Sequence, residues 1–180
     1  MSLHVGRRGA RAIVVTLATI VAIGSAPAAM AGSIDPPRTS SSGITAIPAW
    51  PVLRIGSTGA DVRTAQHLLT AWGHTTTADG AYGSGTAAAV KAFQSRKGLT
   101  ADGIIGAQTW SALAVTISEG ARGSAVKALQ VQLNNLGASL AVDGIFGGMT
   151  ASTVRFWQWH MGLTADGIVG PQTWRAFIGS

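Results

Sequence analysis

Apolar residues return at helical spacing in short runs, each closed by glycine or a polar turn, and the same order of runs appears in both halves of the chain. From Ala60 to Trp72 the stripe is Val62, Ala65, Leu69 and Trp72, and Gly73 ends it. A second run from about Ser84 to Lys97 carries Val90 and Phe93 and stops at Gly98, and a short third one passes through Trp110 and Leu113. The later half repeats this with Val126, Leu129, Leu133 and Leu136 before Gly137, then Val154 and Trp157 before Gly162, then Trp174 and Phe177. No stretch sustains period-two alternation. The expectation is an all-α protein of two tandem small three-helix bundles, with at most minor extended pairing in the loops.

Between the runs lies one phrase, Asp-Gly-x-apolar-Gly-x-x-Thr. It occurs at Asp79–Thr86, Asp102–Thr109, Asp143–Thr150 and Asp166–Thr173. Asp bonds nearby backbone and glycine accepts positive φ, so the pair predicts a tight turn. The apolar residue points back into a core, and the second glycine caps the helix that follows. Pro171 directly after Gly170 fits a first helical position, where a missing N–H costs nothing.

Sliding the chain by about 64 residues superposes Gly59 on Gly123, Gln66 on Gln130, Asp79 on Asp143, Gln94 on Gln158 and Trp110 on Trp174 without gaps. Two copies of one small domain follow, at 52–114 and 116–178. Ahead of them, 32–51 reads as an extended linker rich in Pro, Ser and Gly, with Trp50 either covering the first helix or exposed. Residues 1–31 read as a secretory signal peptide. Arg7, Arg8 and Arg11 make a basic start, Ala12 to Ile23 is an apolar run too short for a bilayer, and Ala29-Met30-Ala31 is a cleavage site.

Removal of that segment takes three of the 13 cationic residues and none of the seven acids, so the formal charge falls from +6 to +3. The remaining cations are scattered, which argues against nucleic acid and leaves a mild field suited to an anionic polymer. Without cysteine, neither disulfides nor thiolate metal sites are available.

The order Gly-x-x-Gly-x-x-Val-x-x-x-Gln, Asp-Gly-x-aromatic-Gly-x-x-Thr, Val-x-x-aromatic-Gln and Gly-Leu-Thr-x-Asp-Gly-x-x-Gly-x-x-Thr resembles the peptidoglycan-binding-like domain. It runs through Gly56 to Leu113 and again through Gly120 to Phe177. The resemblance implies a non-catalytic helical module that holds exported proteins on peptidoglycan, so the expected partner is peptidoglycan and the expected location is outside the cell, on the wall. No cofactor, nucleic acid or, after signal cleavage, membrane is expected, and the chain is expected to be a monomer. Two other classes remain open: a protein-interaction or inhibitor module on the same fold, and a wall hydrolase.

Hydrolysis by carboxylates needs two acids in contrasting environments. Asp79, Asp102, Asp143 and Asp166 all belong to Asp-Gly turns, Asp35 lies in the linker, and only Asp61 and Glu119 remain. His67, His74 and His160 lack zinc spacing and read as surface residues. Phe93, Trp110, Trp157 and Trp174 sit at core spacing. Phe156 and Trp159 lie off that face, and Ala92 and Ser95 stand at their positions in the first repeat; they suggest a glycan contact or the seam between repeats. A second candidate site uses the helix starts, where unpaired N–H groups favour a stem-peptide carboxylate. There Ser84, Thr86 and Thr150 are the expected hydroxyl donors and Tyr82 or Phe146 an apolar wall, against the alternative that the threonines cap and the rings are core.

Overall fold

The computed structural model describes residues 47–180, in which six helices and no strands are formed. The expected signal peptide, and the expected linker as far as residue 46, lie outside the described residues. Repeat 1 contains α1 (Ala60–Ala71), α2 (Ser84–Arg96) and α3 (Ala107–Leu113); repeat 2 contains α4 (Ser124–Asn135), α5 (Gly148–His160) and α6 (Pro171–Phe177).

Each Asp-Gly phrase is held by a buried glutamine from the preceding helix. Gln66, Gln94, Gln130 and Gln158 are no more than 2% exposed. Their Nε2 groups donate to the phrase aspartate at 2.8–2.9 Å. The same nitrogens donate to the carbonyl two residues further on, at 2.9–3.2 Å. Their Oε1 atoms accept the N–H of the phrase's first glycine at 2.9 Å. One side chain thus satisfies both a donor and an acceptor of a backbone turn that would otherwise lose water without compensation. The aspartate completes the turn by accepting the N–H two residues on, at 2.8–2.9 Å.

The turn sets which residues face inward. After Asp-Gly the chain is extended, so neighbouring side chains alternate: Ile104, Ile145 and Ile168 are 37–44% exposed, while Tyr82, Ile105, Phe146 and Val169 are at most 2% exposed. Short antiparallel bridges pair these segments with the chain ahead of α1 and α4, at Leu53–Ile105, Thr58–Ala81, Ile117–Val169 and Arg122–Ile145. Only glycine fits the first turn. Gly80 and Gly144 have φ of +78° and +77°, and a Cβ on either would stand 3.1 Å from the carbonyl oxygen of Gly59 or Gly123. The second glycine then becomes the N-cap of α2, α3, α5 and α6.

Trp110 and Trp174 fill the centre of each bundle with no exposed surface. Their indole N–H groups donate to Pro51 and Val115 carbonyls at 2.8 and 2.7 Å, which removes the cost of burying a polar ring. Trp157, read as core, is only partly buried. The end of the expected linker is packed rather than extended into solvent: Trp50 stacks on Trp110 at 5.6 Å with planes 12° apart, and Arg175 Nε donates to the Pro48 carbonyl at 3.0 Å. Trp50 therefore covers the third helix of repeat 1, not the first.

The two repeats lie in one compact unit and meet through α1 and α4. Thr64 Oγ1 donates to the carbonyl of Ala128, its own counterpart 64 residues on, at 3.5 Å. Gln132 donates to Asp61 from the position that Leu68 occupies in α1. Each helix thus uses the same face, the arrangement of a two-fold dimer built into one chain. The polar contact is incomplete, because Gln132 Oε1 is buried without a hydrogen-bond partner among the described residues.

The seam yields a double-mutant test. Asp61→Ala strands the Gln132 amide and costs about 1–3 kcal/mol. Combining it with Gln132→Leu, so that each helix carries what its counterpart has there, restores wild-type stability or exceeds it. Urea midpoints check this; a double variant as unstable as Asp61→Ala alone contradicts it.

Candidate functional site

The expected site residues divide into two groups. Tyr82 and Phe146 are 2% and 0% exposed, and the Tyr82 hydroxyl donates to the Gly103 carbonyl at 2.8 Å. Neither walls a groove, because the extended step after the turn points both rings into the core. Burial, and then the nearby Asp102 charge, push the Tyr82 pKa well above its usual value. Thr86 and Thr150 are 6% and 3% exposed. Thr86 Oγ1 accepts from the Gln66 amide at 3.1 Å, and Thr150 Oγ1 donates to the Ile145 carbonyl at 3.5 Å. Both hydroxyls are turned to the turns they stabilise, and neither provides the side-chain bond of a helix cap. Ser84, at the first position of α2, is exposed.

Phe156 and Trp159 are the outward-facing members, 54% and 70% exposed on α5. They do not form the seam, since α1 and α4 do. Two of the histidines read as surface residues are half-buried: His67, whose pKa is lowered by burial and by Lys127 and Arg63, and His74, lowered by burial and Arg96. His160 is exposed and lies parallel to Phe156, with centroids 5.9 Å apart and planes at 11°.

Two concavities lie beside these residues. In repeat 1, a groove of about 320 Å³ runs between Thr75–Thr77 and the start of α2, where Gly83 and Gly85 form one side. The first turn of α2 has no acidic residue and, among the described residues, no side-chain cap, so its first N–H groups have no intrahelical partner; the ionised Asp79 also lines the groove. In repeat 2, a cleft of about 420 Å³ opens between α5 and the loop after α4, bordered by Met149, Ser152, Thr153, Phe156 and Trp157. Phe156 stands edge-on to Trp157 with centroids 5.4 Å apart. Sequence reasoning passed over Met149, Ser152, Thr153 and Thr75–Thr77; comparing the two repeats position by position finds the first three, because Gly85, Ala88 and Ala89 stand opposite them.

The four phrase aspartates are not built as proton donors. Asp79, Asp102 and Asp166 are lowered below the usual carboxylate range chiefly by the backbone N–H each accepts, then by the glutamine amide; for Asp143 the order is reversed. A general acid needs the opposite shift.

Residues 58–113 and 122–177 both match the family model described as putative peptidoglycan binding domain. The chain belongs to this family. It carries two peptidoglycan-binding domains in tandem. It is 34% identical over 165 residues to a probable N-acetylmuramoyl-L-alanine amidase of Bacillus licheniformis, covering 75% of this chain and 45% of that protein. It is 46% identical over 71 residues to the zinc D-Ala-D-Ala carboxypeptidase of Streptomyces albus G, covering 38% of this chain and 27% of that one. A crystal structure of a peptidoglycan-binding protein from Clostridioides difficile is 36% identical, covering 41% of this chain and 43% of that chain, with a TM-score of 0.35. The chain spans less than half the length of each of these curated relatives.

The depressed aspartates predict acid sensitivity. Their folded pKa values lie below the unfolded value near 3.9, so the stability they contribute is complete above about pH 4 and is lost as pH falls through the native values. Melting temperature therefore drops steeply below about pH 4. The Asp→Asn quadruple variant at 79, 102, 143 and 166, which keeps the accepting oxygen but cannot titrate, flattens that drop. An equally steep fall in the variant contradicts the assignment.

Proposed function

We propose that the chain is a non-catalytic, exported cell-wall protein that adheres to peptidoglycan through its two domains. The observation that carries this reading is that the peptidoglycan-binding family accounts for both repeats, residues 58–113 and 122–177. Amidase and carboxypeptidase activities are named for longer relatives, of which this chain spans under half. Four of its seven acids are held ionised in turns, which supports binding without hydrolysis. Export rests on the basic start, apolar run and cleavage site within residues 1–31. The protein acts as a monomer, without nucleic acid or membrane as partner.

Within this reading the groove of repeat 1 receives a stem peptide, whose N–H donors face the ionised Asp79 on its lining and whose carboxylate faces the start of α2. Thr75–Thr77 line one side, and Ser84 stands at the start of α2, whose free N–H groups and dipole favour an anion. Thr86 and Thr150 act one step behind, by fixing the turns. Two domains on one chain raise avidity when both reach the same polymer, so each site alone can be weak.

The test is sedimentation of the mature protein with sacculi stripped of protein, beside a gel loaded with wall material. The protein pellets with the sacculi and leaves no clearing in the gel. Complete recovery in the supernatant contradicts adhesion and favours a protein-interaction or inhibitor module, while a clearing band contradicts the non-catalytic reading.

A further inference from the structure

The repeats align position by position, so one serves as the control for the other. On the outer face of α2 stand Gly85, Ala88, Ala89, Ala92 and Ser95; at the same positions α5 carries Met149, Ser152, Thr153, Phe156 and Trp159. Met149, Phe156 and Trp159 are 76%, 54% and 70% exposed. The fold does not need these side chains, since repeat 1 is built without them. A patch of large apolar groups kept in water beside a cleft marks an interaction site.

The cleft indicates the chemistry of its occupant. Its volume of about 420 Å³ lies within the range of small-ligand pockets, and among the described residues none that lines it is ionisable. The α5 cation Arg155 faces Glu119 at 3.8 Å. A stem-peptide carboxylate would therefore leave water with no lining cation to compensate it. Ser152 Oγ and Thr153 Oγ1 both donate to the Met149 carbonyl at 2.9 Å, so their remaining lone pairs can only accept. The complementary ligand is uncharged, carries O–H or N–H donors at its edge, and presents a flat apolar face to Phe156, Trp157 and Trp159. An N-acetylated sugar has all three properties.

We infer that α5 of repeat 2 is a platform for the glycan strand, on which sugar rings stack against Phe156 and Trp159 and one enters the cleft beside Trp157. Repeat 1 lacks this platform, so the two domains contact chemically different parts of one polymer. This rests on the wall-binding reading and adds to it which component is recognised where.

The experiment measures binding of the mature protein to intact sacculi, to glycan strands freed of stem peptides, and to the tetramer of N-acetylglucosamine. The variant Phe156→Ala/Trp159→Ser gives α5 the residues that α2 carries, so its melting temperature stays near wild type. Its affinity for strands and tetramer falls at least about tenfold, equivalent to about 1.4 kcal/mol. Trp159→Ser alone, a change at the more exposed ring, gives a smaller loss in the same direction and serves should the double variant fold poorly. The reciprocal Ala92→Phe/Ser95→Trp tightens binding. Wild-type protein that pellets with sacculi but binds neither strands nor tetramer overturns the glycan platform and leaves wall adhesion standing; folded variants that bind the strands as tightly as wild type overturn it too. A wild-type protein that binds none of the three overturns both.

Discussion

Everything in this fold depends on one recurring interaction, a buried glutamine amide that grips an Asp-Gly turn. An amide side chain suits the task because it offers a donor and an acceptor side by side, matching the carbonyl and N–H that a tight turn leaves unpaired. Replacing it with an apolar side chain would strand both backbone groups in the core. The interaction is repeated at Gln66, Gln94, Gln130 and Gln158, and from each one the same consequences follow: an aspartate held ionised, an apolar residue turned inward, and a glycine placed to start a helix. Without disulfides, each small domain relies on these polar clasps to give its apolar core a single arrangement.

The duplication is used at a second level. By packing α1 against α4 the chain buries the same face of both copies, so two small cores support each other. Trp50 seals one third helix and the Pro48 carbonyl engages Arg175 at the end of the other, which ties the entering chain to both domains. The polar groups at the seam do not match perfectly, as Gln132 Oε1, without a partner among the described residues, shows. That residue and Asp61 are among the seam positions at which the copies differ.

Helix positions, turns and the duplicated architecture were legible because they rest on local chemistry: Asp-Gly for the turn, glycine for the stop, helical spacing for the buried stripe. The seam was not, since Asp61, Thr64, Ala128 and Gln132 are polar or small and give no apolar signal, whereas Phe156 and Trp159 give a strong one and face solvent. Tyr82 and Phe146 were legible as core from the phrase itself, yet their aromatic character also offered a ligand wall. The alternation of the extended step, which is set by tertiary pairing, turns them inward. Thr86 and Thr150 were placed correctly at helix starts, but their hydroxyls serve the turns: that of Thr86 accepts from the Gln66 amide and that of Thr150 donates to the Ile145 carbonyl.

A rigid scaffold whose internal polar groups are already committed binds with what it leaves outside, and the two repeats leave different groups outside. Repeat 1 offers hydroxyls and free helix-start amides; repeat 2 offers rings. The six tryptophans provide a direct readout of that division. Three indole N–H groups are bonded to backbone: Trp72 to Leu113, Trp110 to Pro51 and Trp174 to Val115, at 3.0, 2.8 and 2.7 Å. In a ¹H–¹⁵N NMR titration with peptide-free glycan strands, the indole signals of Trp157 and Trp159 shift while those three remain in place. Signals of Trp157 and Trp159 that stay fixed while the protein is saturated with strands would contradict the assignment of glycan recognition to α5.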